Sequence, residues 1–311
     1  MDSDQFVDAL LVAPVAAGVV VVAARSGIGL AGLTDPVTVT TLAAAVCGEL
    51  SPWSGEHREL AAWLLEQARP LRGLVVDLVD HPGTQWWSQL LDRSAQLVLG
   101  DDAVGPPVFT TDRSPWQDYA QRPTACVTSS TALTPVETEP IRSGRHAVAA
   151  VGRSDWEPTY PLPQAQLRIH SDARIAEITG PDDWNRLVQR YPHPHHAQQG
   201  AVNQNLHESA GIRNGPAPDW ADAADDLDGV HFTFAGMLTA LFVPTTHDGV
   251  LTTLWAPESE STLWLRQVWE EPRQGTAYPP HLDLPGDVAA AISEHVVLAD
   301  RPRREPLHWL R

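Results

Sequence analysis

Residues 174–191 read RIAEITGPDDWNRLVQRY. The first seven form a β-branched run closed by a glycine, which reads as a strand. The next residues, Pro181-Asp182-Asp183, open a helix: proline fits the first turn, and acids complement the positive end of the helix. A strand therefore runs straight into a helix. The same opening returns in residues 217–234, APDWADAADDLDGVHFTF, where Pro218, Asp219 and Trp220 begin a helix and GVHFTF follows as a strand. On that strand Val230, Phe232 and Phe234 share an apolar face, and His231 and Thr233 turn to the opposite, more polar one.

Strand signals surround this pair: CVTSSTAL (126–133), QAQLRIHS (164–171), MLTALFVP (237–244), VLTTLWA (250–256) and TLWLRQVW (262–269). A last helix is expected over Asp287 to His295. Upstream the signals are helical. Thr34-Asp35-Pro36 offers a cap and a first-turn proline. HRELAAWLLEQAR (57–69) places Leu60, Trp63, Leu64 and Ala68 on one helical face. LRGLVVDLVDHPG stops at Pro82-Gly83, and TQWWSQLLDR restarts with Thr84 as cap. Trp86 and Trp87, about 100° apart on a helix, predict one buried ring and one less so. The apolar run Leu10 to Ala24 falls short of the about 20 residues a membrane span needs. Asp2, Asp4 and Asp8 before it do not suit a signal peptide, so it is expected to be a buried helix or strand. The expected fold is α+β: a mainly helical part over 1–100, a linker or long loop over 101–125, and an α+β domain over 126–311. In that domain a mixed, mainly antiparallel sheet is accompanied by helices.

The chain has 311 residues and no lysine; its 21 basic side chains are all arginine, against 39 acidic ones. That excludes every mechanism needing an ε-amine, such as a cofactor Schiff base or a P-loop lysine. A net charge of −18 repels phosphate backbones, which speaks against nucleic acid and suits a basic partner or cationic ligand. The two cysteines, Cys47 and Cys126, make no disulfide framework and no CxxC motif, in keeping with a reducing cytoplasm. Both are expected to be inert core residues. The chain carries 12 tryptophans against five phenylalanines and four tyrosines. Those next to acids, Trp116, Trp156, Trp184 and Trp220, are the expected surface ones, suited to a protein or peptide partner through cation–π and ion pairing.

Other candidates carry chemistry. His193, His195 and His196, with His207 further on, are possible Zn, Ni or Cu ligands, since imidazole is the commonest neutral metal ligand; the spacing matches no HExxH motif. Asp222 and Asp226 share a helical face beside Asp225 and Asp228, but the EF-hand pattern fails, and a solvated face is expected. For hydrolysis GxSxG is absent. His231 and Asp228 lie close in sequence, with Ser129 or Ser130 as conceivable nucleophiles, but His231 reads best as a sheet-face histidine. Residues 24–32, ARSGIGLAG, lack both GxGxxG and a P-loop lysine.

Two resemblances follow from these residues. WQDYAQRP (116–123), TSST (128–131), GPDDWNRLVQRYP (180–192), PDWADAADDLDGVHFTF (218–234) and STLWLR (261–266) resemble a family of uncharacterised actinobacterial proteins over roughly Trp86 to Arg266. That resemblance implies no activity and no site residues. Separately, an arginine, Thr128-Ser129-Ser130-Thr131 and Glu258-Ser259-Glu260 resemble, in that order, the signature of ADP-ribosyltransferases. The resemblance implies an arginine on the NAD phosphates, here Arg93 or Arg113, a hydroxyl-lined strand, and Glu260 stabilising a cationic state, with Glu258 beside it. The chain departs from it in two ways: no arginine stands on an obvious first strand, and the length between Ser130 and Glu258 is unusually great. No complete catalytic motif stands in the chain. The leading expectation is therefore an acidic, tryptophan-rich binding or regulatory protein that recognises a protein or peptide. An enzyme, ADP-ribosyltransferase-like or metal-dependent, is the alternative, and the cofactor stays unassigned.

Overall fold

The computed structural model describes residues 2–50, 57–99, 127–133, 146–147, 164–193, 217–254, 257, 259–270 and 273–274. The expected linker over 101–125, the helix over Asp287 to His295, and Cys126 lie outside them.

Helices α1 (Ser3–Val12), α2 (Pro14–Arg25), α3 (Leu30–Thr34), α4 (Pro36–Leu50), α5 (His57–Ala68) and α6 (Arg72–Val79) build the first layer. Asp2 caps α1 by a reciprocal box: its carboxylate accepts from the Gln5 amide at 2.8 Å, and the Gln5 side chain accepts from the Asp2 amide at 3.2 Å. Pro14 cannot continue α1, so the chain bends by 86° into α2. The apolar run Leu10 to Ala24 is thus divided between the end of α1 and α2, which is buried from Pro14 to Ala23. Asp35 caps α4, its carboxylate accepting from the Thr38 amide at 2.9 Å. Cys47 is buried within α4. No single helix among the described residues is long and apolar enough to cross a membrane.

The segment expected to restart as a helix at Thr84 instead forms a 3-10 turn, Pro82–Ser88. Thr84 does not cap it. Its hydroxyl donates back to the carbonyls of His81 at 2.7 Å and Leu78 at 3.0 Å, closing α6. Trp87 is buried and Trp86 half-buried, their rings crossing edge to face. Strand β1 (Gln96–Leu99) then follows inside the part read as mainly helical.

The sheet takes in β1, β2 (Val127–Leu133), β3 (His146–Ala147), β4 (Gln164–Leu167), β5 (Ile175–Ile178), β6 (Gly229–Phe232), β9 (Ser261–Trp264) and β10 (Arg273–Gln274). Its order is β10-β4-β1-β2-β9-β6-β5, with β3 on β2. Every pairing is antiparallel except β5–β6, which is parallel. The connection between those two holds α7 (Pro181–Arg190) and α8 (Trp220–Asp226), as a parallel crossover requires. The fold is α+β.

MLTALFVP, read as a strand, is mostly helix α9 (Phe234–Ala240), and Phe234 belongs to it rather than to β6. Thr233 decides this, its hydroxyl accepting from the Gly236 amide at 2.9 Å as an N-cap. β7 (Thr245–His247) and β8 (Val250–Thr252) form a separate hairpin turning at Asp248-Gly249, both with positive φ. One sheet face, with Ile178, Val230, Phe232, Leu263 and Leu265, packs into the apolar core that also holds α1, α2, α4, α5 and α6. The other face has a smaller cluster around Val98, Leu167, Trp264 and Trp269 and, beside it, a row of polar side chains.

Candidate functional site: a Glu-His-Glu bridge at the last described strand of the sheet

Register generates the polar row. Glu177 on β5 pairs with His231 on β6, His231 with Thr262 on β9, and Thr262 with Ser129 on β2. Paired residues share a face, so the four side chains cross four adjacent strands in line. The sequence placed His231 on the polar face of its strand, and it stands there.

His231 has a side-chain exposure of 1% and two carboxylate neighbours: Glu177 Oε2 at 2.5 Å from Nδ1, and Glu260 Oε1 at 3.0 Å from Nε2. Carboxylates only accept, so two of them call for two ring N–H donors, which only the imidazolium supplies. Burial alone would lower the pKa of His231. Its hydrogen bonds to Glu177 and Glu260, and the charge of both, outweigh that and raise it to about 9. Each ring nitrogen is committed to a carboxylate, leaving none to ligate a metal. Among the described residues no group of three or more His, Cys, Asp or Glu side chains is arranged to hold a metal ion.

The other end of the row is structural. Ser129 donates to Gln96 Oε1 at 2.6 Å and accepts from Trp264 Nε1 at 2.8 Å. Thr262 also donates to Gln96 Oε1, at 3.3 Å. The Ser129 proton points at a neutral amide oxygen, which cannot take it up, so its hydroxyl is not an activated nucleophile. Ser130 stands in register with Leu97 on β1. Arg93 donates to the carbonyls of His170 at 2.7 Å and Ala173 at 2.9 Å, a bracing role. Asp228 is ion-paired with Arg174 at 3.0 Å and Arg266 at 3.6 Å rather than with His231.

Trp184 and Trp220 correct the surface expectation: they are 1% and 6% exposed and pack with Phe232 in the main core. Neighbouring acids misled there, because adjacent helical residues point about 100° apart. Trp184 with Leu187 and Val188, and Trp220 with Ala223 and Ala224, are the inward stripes. Trp116, Trp156, His195, His196, His207, Glu258 and Arg113 lie outside the described residues. His193 is half-buried, its amide donating to the Ala217 carbonyl at 3.0 Å.

Glu177 reaches the surface, with a side-chain exposure of 24%. It is also fixed by the Leu91 amide, which donates to Oε1 at 3.1 Å. Among the described strands β5 is the last of the sheet. The carbonyls of Arg174 and Ile178 accept from the amides of Gly229 and Thr233, on the β6 side. By the two-residue period, the backbone groups of Ile175 and Glu177 face outward. Beside this edge lies a groove of about 530 Å³, bounded by β5, α7 and the end of α8. Ala176, Ile178, Leu187 and Leu227 give it an apolar lining. Its remaining charges pair among themselves. Arg186 binds Asp183, whose other oxygen accepts from the Thr179 amide and hydroxyl. Arg190 and the Tyr191 hydroxyl both donate to Asp226 at 2.9 Å, which holds that carboxyl below the ordinary range.

Comparisons with protein-family models, with curated proteins and with solved structures gave no match. The functional reading therefore rests on the chemistry of this edge and groove.

Proposed function

We propose that the protein is a peptide-binding module that takes up an extended segment of a partner protein as an added strand on β5. The observation that carries this reading is the outer edge of β5, where the backbone groups of Ile175 and Glu177 face away from β6 and an apolar-lined groove lies beside the strand. Strand addition draws affinity from main-chain hydrogen bonds and selectivity from the pockets that receive alternate side chains. A natural edge is usually blunted by lysine, proline or a covering element. β5 has neither lysine nor proline, and its one charged residue, Glu177, points at His231 within the sheet face.

The test is selection of a random peptide display library on the full chain, followed by affinity measurement on Ile175→Pro. Proline removes one outward N–H while leaving the β5–β6 ladder its own donors and acceptors, and edge strands tolerate it. Selected peptides should bind the variant about tenfold or more weakly. In the native chain they should protect the amides of Ile175 and Glu177 from hydrogen exchange. Peptides that bind Ile175→Pro equally well, or leave both amides unprotected, refute strand addition.

A further inference from the structure

The partner segment can be described further, and this step rests on strand addition at β5. We propose that the groove selects an apolar–basic–apolar triplet, with the central arginine or lysine in register with Glu177. A residue paired with Glu177 sends its side chain to the same sheet face, beside the carboxylate. Its two neighbours point to the opposite face, where Ala176 and Ile178 lie and where α7 adds Leu187. Alternation on one added strand thus delivers one side chain to a carboxylate and two to an apolar floor.

Charge fixes the sign of the central residue. Asp183 and Asp226 are already bonded to Arg186 and Arg190. Glu177 differs from them. It shares one imidazolium with Glu260, and among the described residues its one other bond is from the Leu91 amide. Two bonds leave about two of a carboxylate's four lone-pair sites, and the side chain keeps 24% exposure. The groove opens on a chain of net charge −18, which favours approach of a cationic segment and opposes an acidic one. Glu260 and His231 act as positioning residues, holding the Glu177 carboxylate at the edge.

The experiment titrates the full chain with three capped heptapeptides, Ser-Thr-Val-X-Val-Thr-Ser, with X arginine, norleucine or glutamate. Affinity and amide protection at Ile175 and Glu177 are read by NMR. The arginine peptide should bind about tenfold tighter than the norleucine one, the size of one charge-assisted hydrogen bond, and the glutamate peptide weakest. The advantage should shrink at high ionic strength and vanish on Glu177→Gln. If norleucine equals arginine while both amides are protected, the basic-residue inference fails and strand addition stands. If no peptide protects either amide, both fail. Because the peptide series runs on the native chain, the outcome does not depend on whether the variant folds.

Discussion

His231 sits where burial and charge compete. An imidazole at 1% exposure would ordinarily stay neutral, yet two glutamates 2.5 Å and 3.0 Å from its nitrogens make the protonated form the stable one. Its folded pKa, about 9, stands above the ordinary 6.5. A raised folded pKa contributes stability that is complete below the unfolded value and lost as pH rises through the folded one. Between pH 6.5 and 9 the unfolding free energy should therefore fall by up to about 1.4 kcal/mol per pH unit from this one proton. Urea unfolding across that window checks it. His231→Gln should remove that slope and, at the acid end of the window, cost about 3–5 kcal/mol by taking the imidazolium from between the two carboxylates. A wild-type slope that survives in the variant would assign the pH dependence to other groups. Half of this site was legible in the sequence: strand alternation placed His231 on the polar face, and Glu260 and Ser129 were already candidates. Glu177 was not singled out, because its role comes from the register of a strand more than fifty residues away. The signal was present as the one acidic residue in the RIAEITG run.

The elements around the site are held by a close approach of backbones. α9 begins at Phe234 with its first turn pressed on the end of β5, and a Cβ on Gly236 would lie 2.1 Å from the Ile178 carbonyl oxygen. Gly236→Ala would gain about 1 kcal/mol of helix propensity. The clash is with backbone, which cannot rotate away, and overpacking of this kind costs about 1–3 kcal/mol. The clash should win, with a lower urea midpoint and weaker amide protection at Ile178 and Thr233; an unchanged or raised midpoint would show that α9 can withdraw freely. The same junction explains which elements sequence reading recovered. α4, α7 and α8 were legible because Asp and Pro mark their starts, and β2, β5, β6 and β9 because β-branched runs are bounded by breakers. MLTALFVP was misread because its apolar composition suits a buried helix as well as a strand, and only the Thr233 cap resolves the choice. The TQWWSQLLDR turn was misread because the Thr84 hydroxyl donates backward to α6, a use that composition does not distinguish from a forward cap.

At the scale of the whole molecule, the helical layer and the sheet are joined by one apolar core. Val20, Leu42, Leu64 and Leu78 from the first helices fall in the same cluster as Trp184, Val230, Phe232 and Met237. Phe234 stands at the seam, its ring stacked on Trp86 at 4.7 Å and edge-on to Trp87 at 5.5 Å. A division into helical and α+β parts, as composition suggests, implies two units that could open separately. A shared core implies coupling, because neither layer can leave without exposing the apolar face of the other. Leu64→Ala decides between these. Leu64 is fully buried in α5, far in sequence from the sheet, and its truncation should cost about 2–5 kcal/mol. Under coupling, native-state hydrogen exchange of the slowest amides in α2 and in β6 should accelerate together and by the same factor, since both exchange through one global opening. Acceleration confined to α2 and α5, with β6 unchanged, would instead make the helical layer an independent unit that docks on a self-sufficient sheet. The coupled outcome also bears on β5. Its outer edge could then remain open to a partner without fraying, because the face behind it is anchored through Ile178 to the core that the helices share.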